Sequence, residues 1–277
     1  MTGRSLPPRV KYISPRRSSP STTPARRPIL LGNSPTILHH HYREQVLSTV
    51  RAMIRVVLFD IDGTLITTGG AGVRAFGHAF ANEFNLPRAT ESLSFAGRTD
   101  TGLVHEVFAT NGIKPSPKNV RRFFAAYTSH LEKMLGTCTG RICPGVEEFL
   151  AQLKALRPGP LFGLLTGNIR PGAELKLRRY NLWEHFTFGA YGDEYAERNK
   201  VALSARRHSR RLLGRGLKSE EILVIGDTPR DIECARAIGA KVLAVATGDY
   251  TVEDLQMHQP DWCIADLNAV RAESICG

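Results

Sequence analysis

Two carboxylates spaced two residues apart, directly after an apolar run, are the residues of this chain best suited to chemistry. The run covers residues 56–59, Asp60 and Asp62 follow it, and Gly63 marks a turn. Four consecutive bulky apolar residues predict a strand that is buried on both faces. Residues i and i+2 of a regular strand share a face, so the two carboxylates would lie together and repel each other. Either a proton on one of them or a hard divalent cation, Mg²⁺ above all, would offset that repulsion.

A second apolar run ends in the same way. Residues 222–225 precede Gly226 and Asp227, and Asp231 follows four residues later. Pro229 suits the first turn of a helix, which would place Asp231 at the helix N-terminus. A carboxylate at that position also faces the positive end of the helix dipole, so a structural role for Asp231 is compatible with a role beside a metal.

A third apolar run, residues 161–165, ends in Thr166, Gly167 and Asn168. A hydroxyl followed by an unobstructed glycine N–H can donate two hydrogen bonds to a phosphate oxygen. The same three residues are also common in ordinary turns, so this signal is weak when taken alone.

The elements that carry these residues alternate between strands and helices. Predicted strands cover residues 56–59, 161–165, 186–190, 222–225, 241–246 and 262–264, and predicted helices cover 146–156, 171–180, 200–213 and 230–238. This alternation predicts an α/β fold, with a parallel sheet covered by helices on both faces. Sites in such folds are built at the edge where the strands end, and Asp60 and Thr166 each directly follow a predicted strand.

Residues 66–142 interrupt this alternation. Apolar residues at helical spacing predict helices over 73–84, 103–109 and 120–135, and turn-rich segments separate them. The first helix is predicted from Val73, Phe76, Gly77, Phe80 and Phe84. No run typical of a strand is found in this segment, so we expect an all-helical insertion after the first strand.

Composition indicates a soluble globular protein. Of the 277 residues, 42% are apolar and 23% are charged. No apolar stretch approaches the roughly 18 residues that a transmembrane helix needs. The five cysteines are scattered without a Cys-x-x-Cys pair, which indicates free thiols and, with them, a cytoplasmic location.

The formal charge of +11 is concentrated in residues 1–52. That segment has nine Lys or Arg and a single acidic residue, so it carries +8. Its prolines, serines and threonines predict a disordered basic leader. A targeting segment, a tail that touches nucleic acid or membrane non-specifically, and a misplaced start before Met53 all remain open. We favour the misplaced start or a functionless tail, and we expect no specific nucleic-acid partner.

Taken in order, these segments resemble the motifs of the haloacid dehalogenase-like (HAD) hydrolases. Motif one corresponds to Asp60 and Asp62, motif two to Thr166, and motif four to Asp227 with Asp231. The resemblance covers essentially all of residues 53–275. It implies a Rossmann-like core of 53–66 and 143–277, with 67–142 as a helical cap of the phosphoglycolate phosphatase-like type.

Motif three of this family is a single cation near the start of the helix before motif four. The candidates here are Arg198 and Lys200, and the Lys-Pro pair that is usual in the family is missing. We favour Arg198, because it lies just ahead of the apolar helical face that begins at Val201. A cation at this point would offset the charges of Asp60 and of a phosphate.

The resemblance also implies a role for each residue. Asp60 would be the nucleophile, Asp62 the general acid and base, and Thr166 with the motif-three cation would stabilise the phosphoryl group. Mg²⁺ would be held by Asp60, the backbone carbonyl of Asp62, and Asp227, with Asp231 supporting that ligation. Substrate binding is expected from Gly167, Asn168 and Arg98. For Arg98, a salt bridge on the cap surface is an equally good interpretation.

The function implied is a Mg²⁺-dependent phosphatase that hydrolyses a small phosphorylated metabolite through an aspartyl-phosphate on Asp60. Asp62 disfavours a dehalogenase, because displacement of a halide needs no leaving-group acid. A phosphosugar mutase with the same motifs and a non-enzymatic binding protein on this scaffold remain alternatives. The oligomeric state is left open.

Overall fold

The computed structural model of the chain describes residues 53–277, so the predicted leader at 1–52 lies outside the described residues. Six parallel strands form one sheet in the order β5-β4-β1-β6-β7-β8, and β2 pairs with β3 in a separate antiparallel sheet. The strands are β1 (Val56–Phe59), β2 (Ile66–Thr67), β3 (Arg141–Ile142), β4 (Leu161–Leu165), β5 (Phe188–Ala190), β6 (Ile222–Gly226), β7 (Lys241–Val245) and β8 (Trp262–Ile264). The predicted parallel α/β fold is confirmed.

The helices of the described residues follow the predicted pattern closely. They are α1 (Ala71–Phe84), α2 (Asp100–Thr110), α3 (Pro117–Thr137), α4 (Val146–Ala155), α5 (Arg170–Arg178), α6 (Arg198–Leu213), α7 (Pro229–Ile238), α8 (Val252–Gln256) and α9 (Ala272–Cys276). Short 3₁₀ turns lie at Trp183–His185, Ser219–Glu221 and Leu267–Ala269. Within residues 53–277, no helix has both the length and the apolar character needed to cross a bilayer.

The central position of β1 determines where the site lies. Phe59, the last residue of β1, aligns with Leu164 of β4 on one side and with Ile225 of β6 on the other. The parallel register therefore brings the residues that follow all three strands to one edge of the sheet. The backbone N–H of Asp60 continues the ladder by donating to the Ile225 carbonyl at 3.0 Å.

Both faces of the sheet are covered by buried apolar side chains. Val57 and Phe59 belong to one cluster, which includes Phe149 of α4. Val56 and Leu58 belong to a second cluster on the other face, which includes Ile232 of α7. Alternate residues of β1 thus face opposite helical layers, as the period of a strand requires.

The helices α1, α2 and α3 have an apolar core of their own. Phe76, Phe80 and Phe123 lie at its centre, and the rings of Phe76 and Phe123 meet edge to face with centroids 4.7 Å apart. Val73 lies at helical spacing with these residues, but its side chain is 42% exposed.

The expectation that residues 66–142 contain no strand is wrong at both ends of the segment. Ile66–Thr67 and Arg141–Ile142 pair as β2 and β3 at the base of the helical insertion. Two residues are too few to show the alternation by which a strand is recognised in a sequence.

Candidate active site

Asp60 is buried at the end of β1 and faces a buried cation. Nη2 of Arg198 lies 3.1 Å from Oδ1 of Asp60 and donates a hydrogen bond of 2.5 Å to Oδ1 of Asp231. Burial raises the pKa of Asp60 to about 6, although the positive charge of Arg198 acts in the opposite direction. A carboxylate whose pKa is raised by burial at the end of a sheet strand is typical of a reactive site.

Of the two cations considered for motif three, Arg198 is the one that lies beside Asp60. It is the first residue of α6 and its side chain is buried. Burial lowers the pKa of the Arg198 guanidinium, but the carboxylates of Asp231 and Asp60 more than reverse this effect, so the pKa is raised overall. Lys200 points outward, is exposed, and pairs with Glu197 at 2.6 Å.

Three carboxylates form a cluster in which a metal ion would fit. One oxygen each of Asp60, Asp227 and Asp231 lies within 4.8 Å of the others. Burial, together with the charges of Asp231 and Asp60, raises the pKa of Asp227 well above its ordinary value. No donor among residues 53–277 makes a hydrogen bond to the buried Oδ1 of Asp60. A hard cation with oxygen ligands would satisfy this oxygen and offset the repulsion.

The carboxylate of Asp227 is closely surrounded by Thr64, Gly63 and Gly248. The Thr64 hydroxyl donates to its Oδ1 at 2.8 Å. A Cβ atom on Gly63 or on Gly248 would overlap its Oδ2, so both positions require glycine. Sequence analysis did not assign Thr64 a role, although Thr64 follows Asp62 by only two residues.

Asp231 is fully buried, and both of its oxygens are already used. Oδ2 accepts from the backbone N–H of Thr228 at 3.0 Å and from its hydroxyl at 2.7 Å, while Oδ1 accepts from Arg198. The bond from the Thr228 N–H to Asp231 belongs to the capping box of α7, which begins at Pro229 as predicted. The arrangement suits a residue that orients Arg198 and the start of α7, in keeping with the supporting role expected for Asp231.

The side chain of Asp62 lies outside this acidic cluster and faces a different cation, Lys176 of α5. Nζ of Lys176 is 2.8 Å from Oδ1 and 2.6 Å from Oδ2 of Asp62. Sequence reasoning missed Lys176. A signal was present, because Lys176 falls on the buried stripe of α5 with Ala173 and Leu177 at helical spacing, where a lysine is unusual.

Thr166 and Asn168 lie side by side, and Asn168 contacts Asp62. The Asn168 amide nitrogen Nδ2 donates to Oδ2 of Asp62 and to Oγ1 of Thr166, both at 2.8 Å, and its Oδ1 accepts from Lys176 at 2.6 Å. The side chain predicted to bind substrate is therefore already engaged in orienting its neighbours. Thr166 is buried and directly follows β4, as the sequence predicted.

The helical insertion contacts the sheet edge at Gly167. A Cβ atom on Gly167 would overlap the carbonyl oxygen of Arg98, and the Gly167 carbonyl accepts from the backbone N–H of Asp100 at 2.8 Å. Oδ2 of Asp100 accepts from the backbone N–H of Ile169 at 2.9 Å. Burial raises the pKa of Asp100 to about 6, and the charge of Lys176 opposes that shift. Sequence analysis did not predict this contact.

A cavity of about 430 Å³ lies between the insertion and the sheet edge. Its polar lining includes Asp60, Asp62, Thr166, Lys176, Arg198 and Asp227, and the insertion contributes Val73, Phe76, Phe95 and Tyr127. Arg98 lines the cavity as well, while its guanidinium pairs with Glu106 of α2. The structure therefore agrees with both interpretations of Arg98, because this residue lines the cavity and also forms a salt bridge within the insertion. The volume suits a small molecule rather than a folded protein.

Known proteins resemble this chain over most of its length. The phosphoglycolate phosphatase of Synechococcus elongatus is 27% identical over 219 residues, which are 76% of this chain and 92% of that protein. A predicted phosphoglycolate phosphatase from Haemophilus somnus has a similar structure, with a TM-score of 0.61 and 21% identity over 77% of this chain and 95% of that one. The protein CbbY from Rhodobacter sphaeroides, crystallised with phosphate, has a TM-score of 0.55 and 20% identity over 72% of this chain and 88% of that one.

These similarities confirm the family implied by the motifs and the phosphoglycolate phosphatase-like subfamily implied by the helical insertion. The family model for haloacid dehalogenase-like hydrolases matches residues 57–245, from the first strand of the sheet to the end of β7. The matched segment includes Asp60, Thr166, Arg198 and Asp227. A chain with this match over more than half its length, and with these side chains gathered at one edge of its sheet, belongs to the haloacid dehalogenase-like hydrolases.

Proposed function

We propose that this protein is a Mg²⁺-dependent phosphatase that hydrolyses a small phosphate monoester through an aspartyl-phosphate on Asp60. The observation that carries the proposal is that two neighbouring carboxylates, Asp60 and Asp62, have different surroundings and different cationic partners. Asp60 lies in the acidic cluster against Arg198, while Asp62 faces the cavity and pairs with Lys176. These different surroundings support Asp60 as the nucleophile and Asp62 as the proton donor.

The acidic cluster suits the metal. Asp60 and Asp227, with the backbone carbonyl of Asp62, would hold Mg²⁺, and Asp231 would orient its neighbours without ligating. When bound, the metal supplies positive charge that stabilises the transferring phosphoryl group. This assignment is supported by the raised pKa of Asp227 and by Oδ1 of Asp60, which accepts no hydrogen bond from residues 53–277 although Arg198 lies 3.1 Å away.

The positions of the side chains support the following reaction. A carboxylate oxygen of Asp60 attacks phosphorus, the bond from phosphorus to the ester oxygen breaks, and Asp62 gives that oxygen a proton. Asp62 then takes a proton from a water molecule, which attacks phosphorus and releases Asp60 with inorganic phosphate. The Thr166 hydroxyl, the backbone N–H of Gly167 and the Arg198 guanidinium are near enough to the sheet edge to bind the phosphoryl oxygens.

The helical insertion is proposed as a cap that excludes water and selects the substrate. In this proposal the cap is residues 67–142, and the core comprises 53–66 and 143–277. Its contacts with the core at Asp100 and Thr99 enclose the cavity, where Arg98 can exchange Glu106 for an anionic group of a substrate. The names of the relatives support phosphoglycolate as one ester to test.

Phosphate release by the full chain tests the proposal. A panel of small phosphate esters, including phosphoglycolate and a hexose phosphate, is assayed with Mg²⁺ and again with chelator. We expect release that requires the metal and is abolished by Asp60→Asn. A matched carboxamide substitution at the exposed Glu220, in Glu220→Gln, should leave the rate unchanged. Phosphate that moves to a second hydroxyl without release would instead indicate a mutase, and inactivity towards every ester would contradict the proposal.

A further inference from the structure

We propose that Lys176 is a positioning residue that holds the carboxylate of Asp62 in the orientation from which it protonates the leaving oxygen. This inference rests on the proposed phosphatase function. It adds a second buried cation to the site, with a role distinct from that of Arg198.

The contacts around Lys176 form a closed triangle. Its ammonium donates to both oxygens of Asp62 and to Oδ1 of Asn168. The Asn168 amide closes the triangle by donating to Oδ2 of Asp62 at 2.8 Å. Each side chain therefore contacts the other two, and Asn168 also fixes the triangle to Thr166 at the end of β4.

Exposure differs sharply between the two members of the ion pair. The side chain of Asp62 is 43% exposed and faces the cavity, whereas that of Lys176 is 5% exposed. A half-exposed aspartate without fixed donors samples several rotamers, while two donors from a rigid buried group select one. Burial of an ammonium is costly, and an apolar residue would stabilise this stripe of α5 more simply. A lysine at this position is therefore better explained by the carboxylate it holds than by packing.

The two buried cations serve different carboxylates. Arg198 lies against Asp60 and Asp231, and its charge affects the pKa of both Asp60 and Asp227. Lys176 lies against Asp62, whose side chain lies outside the acidic cluster. The nucleophile and the proton donor each have a cation of their own, so removal of one cation should impair one chemical task.

A different explanation is that Lys176 only supports the closed cap. Its charge acts on Asp100, and its ammonium would lie 3.4 Å from a Cβ atom on Gly72, so it does approach the insertion. The two explanations differ in how loss of Lys176 should depend on the leaving group. An aryl ester with an acidic phenol needs little help from a proton donor, whereas an alkyl ester needs much.

The experiment compares Lys176→Met with Lys154→Met, which removes an exposed lysine of α4. Both are made in the full chain and assayed with Mg²⁺ on the best alkyl ester of the panel and on p-nitrophenyl phosphate. With the alkyl ester, we expect kcat of Lys176→Met to fall by about 10²-fold or more, with little change in KM. The initial burst of p-nitrophenol, which reports formation of the aspartyl-phosphate, should stay within about threefold of wild type.

A double variant isolates the interaction. In an Asp62→Asn background, addition of Lys176→Met should lower the remaining rate by no more than about twofold, because the carboxylate it would orient is gone. An equal loss of burst and alkyl turnover, a change confined to KM, or a further large loss in that background would overturn the proposal. If Lys176→Met does not fold, Lys176→Gln, which keeps N–H donors but has no charge, takes its place.

The outcomes separate this inference from the proposed function. If wild type releases phosphate and Lys176→Met matches it on the alkyl ester, only the role of Lys176 is refuted. If wild type releases phosphate from no ester, the proposed function itself is refuted, and the role of Lys176 with it.

Discussion

Nη2 of Arg198 lies 3.1 Å from Oδ1 of Asp60, and both side chains are almost fully buried. The pair joins the start of α6 to the residue that follows β1, so the packing of α6 affects the charge on Asp60, the proposed nucleophile. Removal of one partner from a buried ion pair leaves an uncompensated charge, and this is generally more harmful than loss of the interaction alone.

Arg198→Met should abolish measurable turnover and destabilise the fold by about 3–5 kcal/mol, because Asp60 and Asp231 would both lose their buried cation. Lys200→Met, two residues away and exposed, should change neither property. Steady-state kinetics and urea unfolding of both variants provide the test. Equal effects of the two substitutions would refute the assignment of Arg198 as the motif-three cation.

Metal binding should stabilise the fold in the absence of substrate. A ligand that binds only the folded state adds about 2.7 kcal/mol at a concentration of 100 Kd. Thermal unfolding of wild type should therefore shift to higher temperature with increasing Mg²⁺. The shift should disappear in Asp227→Asn, which lacks one proposed ligand but keeps the acceptor for Thr64. An undiminished shift in that variant would place the metal elsewhere.

Asp100 should make stability depend on pH. Burial raises its pKa to about 6 from an ordinary value of 3.8, so the folded state binds more protons than the unfolded state between these values. Stability from this group is therefore present below about pH 4 and is lost as the pH rises to about 6, by at most ~3 kcal/mol. Asp100→Asn keeps an acceptor for the N–H of Ile169 and lacks this titration. Relative to wild type, the variant should gain stability between pH 4 and 7. A difference in unfolding free energy that does not change with pH would contradict this account.

Gly167 should be needed for closure of the insertion. Gly167→Ala would force a Cβ atom into the Arg98 carbonyl, so we expect kcat/KM to fall by more than about tenfold. Gly136→Ala is the matched control, because its new Cβ would meet nothing within 4 Å beyond its own helix turn and chain neighbours, and it lies in the last turn of α3. The control should keep its activity and gain about 0.5–1 kcal/mol of stability. Normal activity of Gly167→Ala would show that close approach at this point is not required.

The sequence predicted those parts of the fold and site that depend on short-range patterns. Buried strands are recognised from consecutive apolar residues, and parallel register then brings Asp60, Thr166 and Asp227 to one edge without further information. The choice of Arg198 over Lys200 also followed from a local pattern, the start of the apolar face of α6. The structure places that side chain beside Asp60.

What the sequence did not predict depends on contacts between distant segments. Lys176 contacts Asp62 across 114 positions, and the insertion meets the core through Asp100 and Ile169 across 69. The spacing of residues within one segment cannot predict contacts between distant segments. The two-residue strands β2 and β3 were missed for a related reason, since they are formed by pairing rather than by their own composition.

The most direct test of the central claim is to trap the phosphoryl group on the protein. The full chain is mixed with Mg²⁺ and its best ester, quenched in acid within milliseconds, and digested for mass spectrometry. We predict one phosphoryl group on the peptide that contains Asp60, at the side chain of Asp60, and none in Asp60→Asn. Rapid phosphate release without any label on Asp60, or with label on another residue, would contradict the account.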